Sequence, residues 1–283
     1  MKNFICLPLT ALVLSFVSCE KSTEVASSTA GLSPNVRTEL QQEARKFAKK
    51  HDQLVYEMLS LDNALLMKRS PAATEMSERE RLDHVLTVIY RVTGVKPVIV
   101  EKNLAKVSAA VSGDDPDYYW VNLDAEEISL APYAATEKGL QYLGVVDDIV
   151  QNQESCLDEK VLQLDEVLKE VALDESLPKS EMERVLTSVE VLKGSLILWN
   201  DYFTKETPVY YASGMQKTKI RDWSFGKKLA FVAAADAVGG VLGFFLGGYI
   251  TVGGVPIYMP AGPTGMVLSA AALSYIAASM VGW

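Results

Sequence analysis

From Leu229 to Trp283 the chain runs for 55 residues with one formally charged side chain, Asp236. An apolar stretch of this size must leave water, either into a bilayer or beneath the rest of the chain. The formal net charge of −9 therefore belongs to the upstream part, residues 20–228. A net acidic chain argues against nucleic acid as a partner, because phosphate binding needs basic patches.

The tail divides into two apolar segments, 229–250 and 265–281. Val252-Gly253-Gly254-Val255-Pro256 and Met259-Pro260-Ala261-Gly262-Pro263 interrupt it with residues that cannot continue a helix. This pattern predicts a Gly-rich apolar helical hairpin over 227–283. Gly239, Gly243 and Gly247 repeat every four residues and fall on one helix face, which Gly240 and Gly248 widen. The repeat resembles the glycine-zipper, or G-x-x-x-G, pattern of packed membrane helices. Ser269, Ala270, Ala272, Ala277 and Ala278 offer a matching small surface on the second segment. Glycine costs about 1 kcal/mol relative to alanine inside a helix, so a close helix–helix contact is expected in return. The same face is a candidate for self-association.

Two environments suit such a hairpin. Each segment approaches the roughly 20 apolar residues needed to span a bilayer. Its glycine and alanine content weakens insertion, and Asp236 adds about 2.5–3.5 kcal/mol near a bilayer centre. The other environment is the centre of a folded body, wrapped by amphipathic helices.

Residues 34–203 predict those helices, and the fold class is mainly α: a helical bundle body followed by the hairpin. Ser33 and Pro34 make an N-cap and first helical position. Val36, Leu40, Phe47, Leu54, Met58 and Leu65 then recur at helical spacing. Ser77-Glu78-Arg79-Glu80 is a capping-box pattern opening a helix with Leu82, Val85, Leu86 and Ile89, closed by Gly94 and Pro97. Leu104, Val107 and Val111 suggest a short helix, residues 112–117 a turn-rich loop, and Tyr118-Tyr119-Trp120-Val121 an aromatic anchor. Further helices are expected over 136–151, over 157–173 and behind Ser180-Glu181-Met182-Glu183, a second capping-box pattern. The last carries Val185, Leu186, Val189, Leu192, Leu196 and Trp199, a stripe of the bundle-core kind. Residues 204–226 read as a linker, with Lys217 to Lys228 as a basic flank able to sit at an anionic lipid surface or in a solvated loop.

The amino terminus supplies an address. Lys2, an apolar run from Phe4 to Val17 and the small residue Ser18 have the layout of a signal peptide over 1–18. Phe16-Val17-Ser18-Cys19 resembles the lipobox of bacterial lipoproteins, although Phe16 stands where leucine is usual. Glu20-Lys21-Ser22 resembles the start of many lipoproteins of the Bacteroidota. The resemblance implies lipidation at Cys19, a flexible tether over 19–33, and a lipid-anchored protein of the bacterial envelope, at the outer membrane. An ordinary secreted chain in which Cys19 is incidental is the alternative. Removing residues 1–18 leaves 265 residues, a net charge of −10, and Cys156 as the cysteine beside Cys19. A chain of that length can rely on its core without an intrachain disulfide.

Catalytic motifs are scarce. His51 falls on the apolar stripe of the first helix, and a core position is expected. His84 lies four residues after Glu80, as in many surface pairs. No H-E-x-x-H, paired E-x-x-H, Cys/His cluster, G-x-S-x-G elbow or phosphate loop is present. Asp114, Asp115 and Asp117 lack the full calcium-loop pattern. The expectation is a non-catalytic protein without metal or cofactor, whose helical domain binds or supports. The membrane is its partner through acylated Cys19, with residues 229–283 as a second contact. The alternative is a membrane-active protein, since the tail resembles the glycine-rich hydrophobic hairpins of some bacteriocins and pore formers.

Overall fold

The computed structural model describes residues 32–67, 78–99, 128–205, 223–246, 248–252 and 255–281. Cys19, the tether, Ser77, Leu104 to Val111, the 112–117 loop, the Tyr118–Val121 anchor, Gly247 and most of the 204–226 linker lie outside them. The described part is mainly α, as the helical periodicity implies.

Helix α1 spans Pro34–Met67, and the Val36 N–H donates to Ser33 Oγ at 3.4 Å, as an N-cap requires. Leu40, Ala44, Phe47, Ala48, His51, Leu54 and Val55 form its buried stripe. Helix α2, Glu78–Thr93, stops at Gly94, whose φ of 76° is the left-handed conformation that glycine adopts at helix ends. A one-turn 3-10 helix at Ala131–Tyr133 leads into α3, Glu137–Gln151. Thr136 caps α3 by accepting the Gly139 N–H at 3.0 Å. Helix α4, Leu157–Leu173, covers the predicted interval.

Helix α5, Lys179–Lys205, buries the predicted stripe from Val185 to Trp199 completely. Its start differs from the capping box expected at Ser180–Glu183. The helix begins at Lys179, two residues before the start an N-cap at Ser180 implies, and the Glu181 and Met182 amides donate to the Pro178 carbonyl at 3.0 and 2.9 Å. The Glu181 carboxylate accepts the Ala135 N–H at 3.0 Å, tying the start of α5 to the segment before α3.

The tail forms α6, Phe225–Leu246, and α7, Pro263–Met280, but the connection is more than a turn. Strands β2, Gly248–Val252, and β3, Val255–Met259, pair antiparallel, Val252 opposite Val255. Strand β1, Val98–Ile99, joins on the far side of β3, so the order is β1-β3-β2. Pro256 has no N–H to give, and β1 pairs with Ile257 and Tyr258, stopping short of it. The first apolar segment therefore ends as helix at Leu246, and Gly248 belongs to a strand rather than to the glycine face.

Two kinds of helix divide the labour. The body helices are amphipathic, whereas α6 and α7 are apolar around their whole circumference, the pattern of a helix enclosed on all sides. Every residue from Leu229 to Gly243 is buried. So is every residue of Gly265–Ala278 whose side chain is described. Helix α6 packs on α7 and α5, and α7 packs also on α1. Buried residues of body and tail form one hydrophobic cluster. The change in composition near residue 228 marks where the chain passes from cover to contents. No helix among the described residues is long and apolar enough to cross a membrane.

Candidate functional site

The sole charge of the tail sits at the centre of the molecule. Asp236 on α6 has no solvent-exposed surface, and neither has His51 on α1. His51 Nε2 lies 3.5 Å from Asp236 Oδ2, while His51 Nδ1 is 3.0 Å from Asp52 Oδ1. From α5, Ser195 Oγ donates a short hydrogen bond to Asp236 Oδ2, and Trp199 Nε1 lies 3.3 Å from the same oxygen. Trp199 Nε1 also donates to Ser274 Oγ on α7 at 2.8 Å, and Ser274 in turn bonds Asp236. Four helices thus meet through polar groups inside an apolar core.

Local sequence explains how each group arrives there. His51 follows Phe47 and precedes Leu54 on the buried stripe of α1, so the helix carries it inward. Asp52, one residue on, falls at the edge of that stripe, and its side chain is 30% exposed. Gly194 lets Asp52 approach α5, because a Cβ there would come within 2.9 Å of Asp52 Oδ2. Ser195 and Trp199 are four residues apart and share a face of α5.

Burial pushes the Asp236 carboxyl up to about 6, against the opposing pull of His51 and of its Ser195, Ser274 and Trp199 hydrogen bonds. Burial alone would lower the His51 imidazole, but the charge of Asp236 and the hydrogen bond and charge of Asp52 raise it above 6.5. His51 Nε2 and Asp236 Oδ1 are buried without a hydrogen-bond partner. Such shortfalls are uncommon in folded proteins, and two of the four among the described residues belong to this one pair.

Other polar contacts fasten the cover. Arg37 Nη1 donates to the Leu173 carbonyl at 2.9 Å and the Ala172 carbonyl at 3.3 Å, placing a cation at the C-terminus of α4. Lys160 Nζ does the same for α3 through the Val150 carbonyl at 2.5 Å. Burial lowers the Lys160 ammonium below its ordinary value. Glu190 on α5 accepts Arg45 Nε at 3.0 Å and pairs with Lys193, which reaches Asp165 at 2.8 Å.

Gly239 and Gly243 lie where α7 comes closest to α6. A Cβ on Gly239 would come within 2.7 Å of the Ser269 carbonyl oxygen and 3.0 Å of Ala270 Cα. One on Gly243 would overlap the Gly265 carbonyl and come within 2.7 Å of Ser269 Cβ. The glycine face is thus filled by the chain's own second helix.

His84 is exposed on α2. A cleft of about 150 Å³ between α3 and the start of α6 is lined by Leu130, Asp147, Val150, Lys227 and Phe231 among others. Asp147 faces it while accepting the Leu130 N–H at 2.9 Å and the Ala131 N–H at 3.2 Å, a capping duty. Among the described residues no group of three or more His, Cys, Asp or Glu side chains is placed to hold a metal.

Comparison with protein-family models, with curated proteins and with solved structures finds no match.

Sequence reasoning placed His51 in the core and isolated Asp236 as the single charge of the tail, but did not join them. The available signal was a charge in an apolar helix, which needs a buried partner of opposite sign. With two histidines in the chain, the histidine on a buried stripe was the natural candidate.

Proposed function

We propose that this chain is a lipid-anchored protein of the bacterial cell envelope whose helical body is a tethered binding or structural module without catalysis of its own. The observation that carries this reading is the enclosure of the hairpin. The residues expected as a second membrane contact are used as core, covered by α1 and α5. That leaves the amino-terminal segment ending at Cys19 as the membrane-directed element. His51 and Asp236 of the buried polar cluster have no exposed surface among the described residues, and the cluster's hydrogen bonds run between helices of the core. These features favour an architectural role.

The direct test is expression of the full chain and its Cys19→Ala variant in a lipoprotein-processing bacterium. The unaltered chain should fractionate with membranes and carry the mass of acyl chains on Cys19. The variant should lose both properties. Retention of the variant in the membrane fraction with no acyl mass on the parent would overturn the anchor.

A second reading rests on the same hairpin: a nearly charge-free pair of helices held inside an amphipathic cover, suited to membrane activity once uncovered. Leakage of dye from liposomes by the full chain measures it. Intact liposomes across lipid compositions and pH would leave the anchored module standing alone.

A further inference from the structure

The buried middle of α6 is held by apolar packing around one ionisable group. Asp236 occupies the middle of α6 and is gripped from three other helices, by His51 of α1, by Ser195 and Trp199 of α5, and by Ser274 of α7. The charges acting on His51 are Asp236 and Asp52, and the charge acting on Asp236 is His51. Neighbouring charges on α1 and α5, Arg45, Glu190 and Lys193, are engaged with one another and with Asp165. Asp147 of α3 faces the start of α6 beside Lys227, away from this point, so among the described residues the charges gathered at Asp236 itself are the His51 imidazole and, behind it, the Asp52 carboxylate.

The three ionisable groups also form a line from surface to centre. Asp52 is partly exposed, His51 bonds it through Nδ1 at 3.0 Å, and Asp236 faces Nε2 at 3.5 Å. An imidazole that exchanges one nitrogen's proton with a solvated carboxylate while facing a buried one at its other nitrogen can pass protons inward. Protonated, the ring places a cation beside a buried carboxylate. Deprotonated, it leaves that carboxylate with neutral donors alone, and a buried uncompensated charge strongly destabilises its surroundings.

We propose that the His51–Asp236 pair is a proton-operated clasp that holds the apolar hairpin in the body while His51 is charged and loosens it when His51 loses its proton. The inference rests on this geometry and is independent of where the chain is anchored.

The sign follows from linkage. Asp236 is raised to about 6 from 3.8 and His51 is raised above 6.5, so both bind protons more tightly in the folded chain. Where the folded state holds the extra protons, stability falls as pH rises. The contribution is complete only below the ordinary carboxylate value of 3.8. It declines as pH passes through the Asp236 value and is lost as His51 titrates. The hairpin is thus secured by acid and loosened by base.

Amide hydrogen exchange on the full chain tests this, with rates corrected for the intrinsic pH dependence. His51 is followed by imidazole NMR in a His84→Gln background, which leaves one histidine. Protection of α6 and α7 amides should fall at least tenfold between pH 6 and the end of the His51 titration, while α3 and α4 amides keep theirs. Asp236→Asn should flatten the hairpin's profile. Asp52→Asn should shift the loss to lower pH, and it reports even where Asp236→Asn does not fold. Hairpin protection that stays flat while His51 titrates would overturn the clasp. So would a loss shared equally by all helices, which would mean general destabilisation.

Discussion

A Cβ added to Gly239 would stand 2.7 Å from the Ser269 carbonyl oxygen, so the α6–α7 contact is set by backbone against backbone. Gly243 repeats the arrangement one turn later against Gly265 and Ser269. Alanine usually stabilises a helix relative to glycine by about 1 kcal/mol. Here overpacking should outweigh that gain, since inserted methyl groups in a packed core cost about 1–3 kcal/mol. Gly243→Ala is therefore expected to lower stability in urea unfolding. Gly144 on α3 is the control, because a Cβ there meets nothing within 4 Å. Gly144→Ala should raise stability by up to about 1 kcal/mol. Equal effects at the two sites would mean that the α6–α7 contact is looser than described.

Asp236 and its partners should respond unequally to truncation. Removing one member of a buried ion pair costs about 3–5 kcal/mol, because the other remains charged or must be neutralised. Asp236→Ala is expected in that range. Trp199→Phe keeps the aromatic volume and deletes the donor shared by Ser274 and Asp236, so a loss of about 1–3 kcal/mol is expected. Urea midpoints at pH 6 give the order Asp236→Ala, then Trp199→Phe, then the parent chain. A Trp199→Phe chain as stable as the parent would show that the indole donor adds nothing.

Much of this arrangement is legible in the sequence, for reasons visible at particular residues. Ser33-Pro34, Gly94 and the Val185–Trp199 stripe act locally, and their elements form where they predict. Gly253-Gly254 and Pro256 read as helix breakers, and that reading hides the paired strands on either side. Tyr249-Ile250-Thr251-Val252 and Val255-Pro256-Ile257-Tyr258 flank a two-glycine step, a hairpin signal in its own right. The pairing of β3 with Val98 and Ile99 is long-range and has no local signature. The meeting of His51 with Asp236 is of the same kind. Periodicity buries each group on its own helix, and only packing puts α1 beside the hairpin. The choice between bilayer and core also lay beyond local pattern, because an all-round apolar helix suits both.

The helix ends supply a prediction outside the core. Lys160 of α4 donates to the Val150 carbonyl at the C-terminus of α3 and is buried there. A cation at that end offsets the helix dipole and satisfies a carbonyl that lacks an intrahelical donor. Lys160→Met preserves the stem and deletes the ammonium, and should cost about 1–2 kcal/mol. Lys169 on the same helix pairs with Glu166 while largely exposed, so Lys169→Met should change little. Thermal unfolding of the two variants side by side decides the point. Matching melting temperatures would remove Lys160 from the set of contacts that join α3 to α4.

Gly194 offers the sharpest check on the polar cluster, because it touches His51 only through another residue. A Cβ at this position would come within 2.9 and 3.0 Å of the two Asp52 carboxylate oxygens. Asp52 ends a short side chain that is 30% exposed, so it can swing towards solvent at small cost. Gly194→Ala also gains helix propensity of up to about 1 kcal/mol, and net stability should move little. The imidazole should nonetheless change, since Asp52 supplies both a hydrogen bond and a charge that raise His51. Displacing it leaves burial opposed by Asp236 alone, and the His51 titration should shift to lower pH. Imidazole NMR in the His84→Gln background reads the shift directly. An unchanged titration in Gly194→Ala would mean that Asp52 does not support the ring, and that His51 is held in its charged form by Asp236 alone.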